Sequence, residues 1–192
     1  NHGLCVLDSA VQLIIQYPKE GLFSDIKSCG TMQLASLALE NSSQFKNAVV
    51  NTTSGLYDET YIYSGFTENG SASRVILQAL MLNNEVSPTL QVENILENIN
   101  KGKVILESEF QEEKTKLLSQ ENSSRSDIKT LYNALVSSWG YGGTEYFYSY
   151  LDYVKTLNLS DVQSVFDFEP YIFLLVNKKT YSTFEEDFKN QG

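Results

Sequence analysis

The chain has 192 residues, of which 42% are hydrophobic and 20% are charged, and its 24 acidic and 14 basic residues give a formal net charge of -10. This length and composition predict one globular domain that can bury a core without disulfides or a structural metal. Because nucleic acids and anionic membrane surfaces are bound largely through lysine and arginine, the acidic balance argues against both as partners.

His2 is the only histidine in the sequence, which excludes any zinc site with two imidazole ligands from this chain. A Ser–His–Asp or Cys–His nucleophile would have to use His2 close to the terminus, where chains are commonly poorly ordered. Cys5 and Cys29 are too far apart for a CxxC pair, so free buried thiols are favoured and the compartment stays undecided. The longest apolar run, at residues 171–176, is too short to insert across a membrane.

Local patterns in the first half of the chain predict both strands and helices. Runs rich in β-branched and aromatic residues indicate strands, the second of which is closed by Pro18. A segment whose apolar residues cover most of the helical circumference indicates a buried helix. In chain order, we predict strands at residues 4–7 and 11–17, a helix at 32–40, a strand at 57–66 and a helix at 72–82.

The second half is predicted to be mainly helical. Ser87 before Pro88 is typical of a helix start, Gly102 interrupts the apolar pattern that follows, and Ser160 with Gln163 makes a capping box. The predicted elements are a helical stretch at 88–119, a polar exit at 120–126, helices at 127–138 and 144–157 around a turn at 139–143, a short helix ending near 166, a strand at 171–177 and a helix at 180–189. This irregular mixture predicts an α+β domain with helices packed on one face of a largely antiparallel sheet.

Four glutamates lie close together between Glu107 and Glu113. Glu109 and Glu113 share a helix face at i,i+4 spacing, so one interpretation is an acid–base pair or a metal site. Lys114 and Lys116 beside them favour the simpler interpretation of a solvated acidic helix face.

Aromatic residues are concentrated between residues 139 and 153. Tyrosines spaced by three or four residues from Tyr146 to Tyr153 lie on one helical stripe, which is typical of a core-facing position. Tyr141 and Tyr148 lie off that stripe. They are therefore the candidates for an aromatic surface that binds a peptide or a sugar.

Residues 30–39, GTMQLASLAL, resemble the Gly-x-x-His-x-x-Glu-His helix of the M16 metallopeptidases, the family of insulinase, pitrilysin and the mitochondrial processing peptidase. In this sequence Gln33 stands at the first histidine position, Ser36 at the glutamate position and Leu37 at the second histidine position. Zinc catalysis needs imidazole ligands and a carboxylate base that activates the bound water. The resemblance therefore implies a domain with no catalytic residues, and neither zinc nor another cofactor is expected.

Other segments extend this resemblance over almost the whole chain. Residues 57–63, YDETYIY, are similar to the family's strand with Asp-x-Thr and aromatic residues, and residues 146–176 are similar to its domain ending. Residues 101–110 resemble the start of the long helix that supplies the third zinc ligand, which would fall on Glu109. Since one carboxylate does not hold zinc without partners, we expect Glu109 to be a polar remnant or a helix-surface residue.

The resemblance implies that residues 1–192 form a single M16-like domain with the LuxS/MPP-like metallopeptidase fold, expected to belong to a larger protein or a two-subunit peptidase. Such a domain would pair with a catalytic zinc-protease domain or subunit and help to enclose and bind peptide. The candidate contacts for a peptide or a partner are Tyr61, Tyr63, Tyr141 and Tyr148. The alternative is a free-standing binding or scaffold protein that has reused the fold, with an aromatic surface near Tyr141.

Overall fold

The computed structural model describes residues 2–7, 12–19, 26–52, 60–66, 73–80, 86–142 and 144–190, in places by the backbone alone. Within these ranges the strands are β1 (His2–Leu7), β2 (Gln12–Lys19), β3 (Thr60–Phe66), β4 (Ser73–Leu80) and β5 (Tyr171–Asn177). The helices are α1 (Ile26–Asn41), α2 (Ser43–Thr52), α3 (Pro88–Ile99), α4 (Glu107–Ser126), α5 (Ile128–Gly142), α6 (Thr144–Thr156), α7 (Leu159–Gln163), α8 (Lys178–Thr183) and α9 (Glu185–Asn190). Short 3₁₀ turns cover Asn100–Gly102 and Ser164–Asp167.

The strands form one mixed sheet in the order β1-β5-β2-β4-β3. β2 pairs antiparallel with β4 and β5, and β3 pairs antiparallel with β4, whereas β1 runs parallel to β5. Helices make up most of the described residues, so the sheet is the smaller part of the domain. The α+β class agrees with this architecture, and the predicted largely antiparallel sheet is confirmed in three of the four strand pairings, although the sheet is small beside the helices.

One face of the sheet carries the core. Tyr17, Leu174 and Val176 are buried, whereas Phe173, which points the other way along β5, is exposed. The Ser164–Asp167 turn covers β2, where the rings of Tyr17 and Phe166 meet edge to face with centroids 5.1 Å apart. α1 packs on β3 and β4 and also contacts α4 and α6. This central position explains why α1 is buried along most of its described length, as predicted.

Two predictions in the first half of the chain are wrong for a tertiary reason. Residues 73–80, predicted as helix, form β4, because the segment pairs on one side with β2 and on the other with β3. Residues 43–52 lie in a polar stretch that the sequence pattern leaves without a helix, yet they form α2. The burial of Phe45 and the cap supplied by Ser42, whose Oγ accepts from the Phe45 N–H at 3.3 Å, stabilise it. Residues 57–59 of the predicted strand lie outside the described residues.

In the second half, the predicted break at Gly102 is confirmed by the 3₁₀ turn there. The predicted polar exit at 120–126 instead continues α4, whose last turn is tied to α6 because Arg125 Nη2 donates to the Phe147 carbonyl at 2.6 Å. The predicted turn at 139–143 is helical as far as Gly142. α7 is capped two residues earlier than predicted, by reciprocal hydrogen bonds between Asn158 and Asp161. Among the helices of the described ranges, none combines the length and hydropathy of a membrane span.

Candidate functional site

The three positions where the resemblance puts the zinc motif all lie on α1. Ser36 is buried and Leu37 packs, partly buried, against the core. Gln33 is half-buried, and its Oε1 accepts a hydrogen bond from the Tyr150 hydroxyl of α6. One position is thus apolar, one is a buried hydroxyl and one is an amide with a protein partner.

The close approach of α6 to α1 depends on Gly30. A Cβ at this position would lie 3.2 Å from Tyr153 Cδ1 and 3.2 Å from Val154 Cγ2, which is tighter than most real contacts. At the next residue of α1, Thr31 Oγ1 lies 3.2 Å from the Tyr153 hydroxyl. Tyrosine hydroxyls of α6 therefore meet the polar side chains of α1, and the predicted core-facing stripe is confirmed for the buried Tyr150.

These side chains do not fit a zinc ion. Zinc in proteins is held by imidazole, thiolate or carboxylate groups, and leucine offers no donor atom. The amide of Gln33 is a poor substitute, and its oxygen is already occupied by Tyr150. Among the described residues, no group of three His, Cys, Asp or Glu side chains is arranged to hold a metal.

Glu109 links the N-termini of two helices. Its Oε1 accepts from the Ser43 N–H at 2.9 Å and from the Ser43 hydroxyl at 2.7 Å, at the start of α2. Its Oε2 accepts from the Leu106 N–H at 3.2 Å, which caps α4 itself. Nearby, the Ser42 hydroxyl donates to the Val104 carbonyl at 2.8 Å. The carboxylate that the resemblance assigns to the third zinc ligand therefore acts as a clamp between α2 and α4.

These hydrogen bonds also set the charge state of Glu109. Partial burial raises the pKa of Glu109, but the donors of Ser43 and Leu106 stabilise the anion and together hold the pKa below its ordinary value. A carboxyl group whose pKa is lower in the folded than in the unfolded state stabilises the fold above the unfolded pKa. That contribution is lost as the pH falls through the folded pKa.

We therefore expect Glu109→Gln to lower the free energy of unfolding by about 1 kcal/mol at pH 7, because a neutral amide accepts these hydrogen bonds less strongly. The difference from the parent chain should shrink as the pH falls below about 4. Urea titrations at several pH values measure this. Glu107→Gln removes the same charge from the same exposed helical turn without touching α2, so an equal loss in both variants would contradict the clamp.

Two other glutamates of the cluster, Glu112 and Glu113, form ion pairs with Lys116. Glu113 is buried and accepts from Lys116 Nζ at 2.7 Å, while Glu112 forms an exposed pair with the same lysine at 2.8 Å. The pKa of Glu40 on α1 lies above its ordinary value. Burial is the main cause and the nearby Glu113 adds to it, while Lys46 acts in the opposite direction. Glu109 and Glu113 share a helix face, but their carboxylates bind different partners. This arrangement favours helix packing over an acid–base pair.

The aromatic candidates lie on different elements of the fold, and Tyr148 is the one whose side chain the structure describes. Tyr148 is exposed on α6, and Trp139 is exposed on α5. Tyr61 and Tyr63 lie on β3, opposite residues 78 and 76 of β4. The side chains of Tyr61, Tyr63 and Tyr141 lie outside what the structure describes.

Sequence reasoning missed the two partners that define this region. Ser43 is 66 residues from Glu109, and Tyr150 is 117 residues from Gln33. No local pattern links residues so far apart, because helix packing alone brings them together. It also missed the exposed apolar side of α5, for which the available signal was a helix with one charged residue, Lys129.

The fold matches solved structures of peptidases. A protease from Helicobacter pylori superposes with a TM-score of 0.70 and 15% identity, over 91% of this chain and 43% of that one. The inactive peptidase domain of a predicted zinc protease from Bordetella parapertussis gives a TM-score of 0.69 and 14% identity, over 90% and 93%. The peptidase M16 inactive domain from Pseudomonas fluorescens gives 0.62 and 13%, over 92% and 43%.

At these identities the similarity establishes the fold, and the M16-like fold implied by the sequence motifs is confirmed. The chain spans less than half of the Helicobacter and Pseudomonas proteins. Neither a protein-family model nor a curated protein matches the sequence.

Proposed function

We propose that this chain is a non-catalytic M16-like domain that pairs with a catalytic zinc-protease domain or subunit and helps to enclose and bind its peptide substrate. The observation that carries the proposal is the set of side chains on α1. Gln33, Ser36 and Leu37 stand where the fold's catalytic domains are expected to have two imidazoles and a carboxylate base. Without them the helix can neither hold zinc nor activate water.

The contacts of the neighbouring carboxylate support this proposal. In a degenerate site that still bound metal, the remaining ligand would be expected to stay free for it. Glu109 instead accepts three hydrogen bonds from the starts of α2 and α4. Two of the structurally similar proteins are themselves inactive peptidase domains, which is consistent with a supporting role.

Peptide binding is supported by the sheet edge. Within the described residues β3 is the end strand of the sheet, so one side of its backbone can pair with an extended peptide. Tyr61 and Tyr63 belong to this strand and would contact alternate side chains of such a peptide. The net charge of -10 favours basic peptides.

The absence of catalysis is tested by elemental analysis of protein purified without chelator, together with cleavage of a fluorogenic peptide library. We expect zinc below about a tenth of an equivalent and no cleavage, because no second ligand supports binding. Stoichiometric zinc with chelator-sensitive cleavage would overturn the proposal and would mean that a different ligand set exists.

Peptide binding is tested by fluorescence anisotropy with two labelled peptides of equal length, one lysine-rich and one glutamate-rich. We expect the basic peptide to bind at least about tenfold more tightly at low salt, and the preference to fall with ionic strength. The double variant Tyr61→Ser with Tyr63→Ser should weaken binding of the basic peptide. Tyr148→Ser on α6 serves as the control, and equal effects of the two changes would argue against the β3 edge.

The alternative function, a free-standing binding or scaffold protein, is favoured by the exposure of Tyr148 and Trp139 near Tyr141. The two functions differ in their partner. Recovery of a catalytic zinc protease with the tagged chain from its native host supports the first. A chain that binds ligand through Tyr148 and Trp139, with unchanged affinity in the β3 variants, supports the second.

A further inference from the structure

α5 carries a row of large apolar side chains on its outer side. We call the four residues Ile128, Tyr132, Val136 and Trp139 the α5 stripe. Their side chains are 86%, 68%, 54% and 72% exposed. Their spacing of four, four and three residues places them on one face of the helix. The residues on the opposite side of α5 face α4 and α6, the helices that it contacts. Such a contiguous exposed apolar row is typical of an interaction surface.

The charge around the α5 stripe is as unusual as its exposure. The chain carries a net charge of -10, yet α5 has Lys129 as its one charged residue and contains no carboxylate. Two copies of this acidic chain would repel each other over most of their surface. α5 itself adds no carboxylate to that repulsion, so a second copy can approach along this helix.

The order of the side chains is self-complementary. When the spacing of four, four and three is reversed on an antiparallel second helix, Ile128 of one copy falls opposite Trp139 of the other. Tyr132 then falls opposite Val136, so a smaller side chain meets a larger ring at each level, as good packing requires. In this arrangement Lys129 of one copy also comes to the C-terminal end of the other α5, where the helix dipole is negative.

We propose that the α5 stripe is a self-association surface, on which two copies of this chain pack their α5 helices antiparallel about a twofold axis near the middle of the helix. The four levels span about 16 Å of helix, at 1.5 Å per residue. The partner on this surface is a second copy of the chain, because the shape and charge of α5 match those of a second α5 that runs in the opposite direction.

The size of the patch sets the expected affinity. Stable interfaces bury about 800 Å² on each partner, and one helix with a few flanking residues supplies less. The dimer is therefore weak, with a dissociation constant of about 10–100 μM. This association goes beyond the proposed peptidase-related role and does not depend on it.

The sequence supplies its own reporter, because Trp139 is the single tryptophan. Sedimentation velocity and tryptophan emission are measured on the full chain from about 1 to about 300 μM, which brackets the expected constant. We expect a monomer–dimer equilibrium, with Trp139 emission shifting to shorter wavelength as the dimer forms. Val136→Lys should raise the dissociation constant at least about tenfold, since it buries a charge opposite the Tyr132 of the second copy.

Asn133→Lys is the matched control, because it adds the same charge to an exposed position of the same helix, off the α5 stripe. Circular dichroism of both variants checks that the monomer remains folded. Equal effects of the two lysines on dimerisation, or a chain that stays monomeric at every concentration, would overturn the proposal. So would an emission shift of the monomer seen only with phosphatidylcholine vesicles, which would make the α5 stripe a lipid-binding surface.

Discussion

Phe110→Ala is expected to lower the free energy of unfolding by about 3–5 kcal/mol, the largest effect of any single truncation considered. Phe110 lies in the first turn of α4 and is fully buried in the main core cluster. Its removal leaves a cavity that the packed helices α1 and α6 cannot close without moving. Since domains of this kind are stable by about 5–15 kcal/mol, the variant should lose much of its stability. Urea unfolding at pH 7 measures the difference.

Phe168→Ala is the matched control for this truncation, because Phe168 has the same side chain and is 46% exposed. It should cost about 1 kcal/mol or less, since little apolar area returns to water. Similar losses in the two variants would show that the packing around α4 is not what stabilises the domain. Because Phe110 follows Glu109 directly, we also expect the effects of Phe110→Ala and Glu109→Gln to be non-additive.

Gly102→Ala is expected to cost about 2–4 kcal/mol, through backbone strain and overpacking acting together. Gly102 has a φ of +74°, in the left-handed region that side chains disfavour. A Cβ there would lie 2.7 Å from Phe166 Cδ2 and 3.1 Å from the Gln163 Cα, so either the turn that contains Gly102 or the end of α7 with the Ser164–Asp167 turn would have to shift. Thermal and urea unfolding of the variant test the prediction.

Gly30→Ala separates these causes, since Gly30 is buried in the regular helix α1. Its Cβ would meet only side-chain atoms, at 3.2 Å, and alanine favours helix by about 1 kcal/mol over glycine. The two terms offset each other, and we expect a net change within about 1 kcal/mol. A loss at Gly30 as large as that at Gly102 would mean that crowding alone, without the backbone term, explains both.

The elements that the sequence predicted well are those with a complete local signal. β5 runs over residues 171–177 as predicted from an apolar run after Pro170, and α3 begins at Pro88 as its cap predicts. α6 spans residues 144–156, close to its predicted 144–157. In each case the residues that start or end the element lie within it or directly beside it in the chain. The local preference and the tertiary context therefore agree.

The elements that it predicted wrongly are decided by neighbours far away in the chain. β4 has the composition of a helix or a strand, and only pairing with β2 and β3 selects the strand. α2 is polar and short, and it depends on the burial of Phe45 and on the Glu109 clamp. Isolated helices of this length are marginal in water, so the local sequence alone does not predict them.

The same division applies to the candidate site. The sequence by itself determined that this chain cannot form a zinc site with two imidazole ligands, since His2 is the only histidine. A count of histidines is independent of how the chain folds. It also placed Gln33, Ser36 and Leu37 on one helix. Tertiary structure alone decided that Glu109 clamps α2 to α4 and that the α5 stripe lies exposed. Hydrogen bonds and burial depend on which distant helices pack together, and that information is carried by the whole fold, not by any one segment.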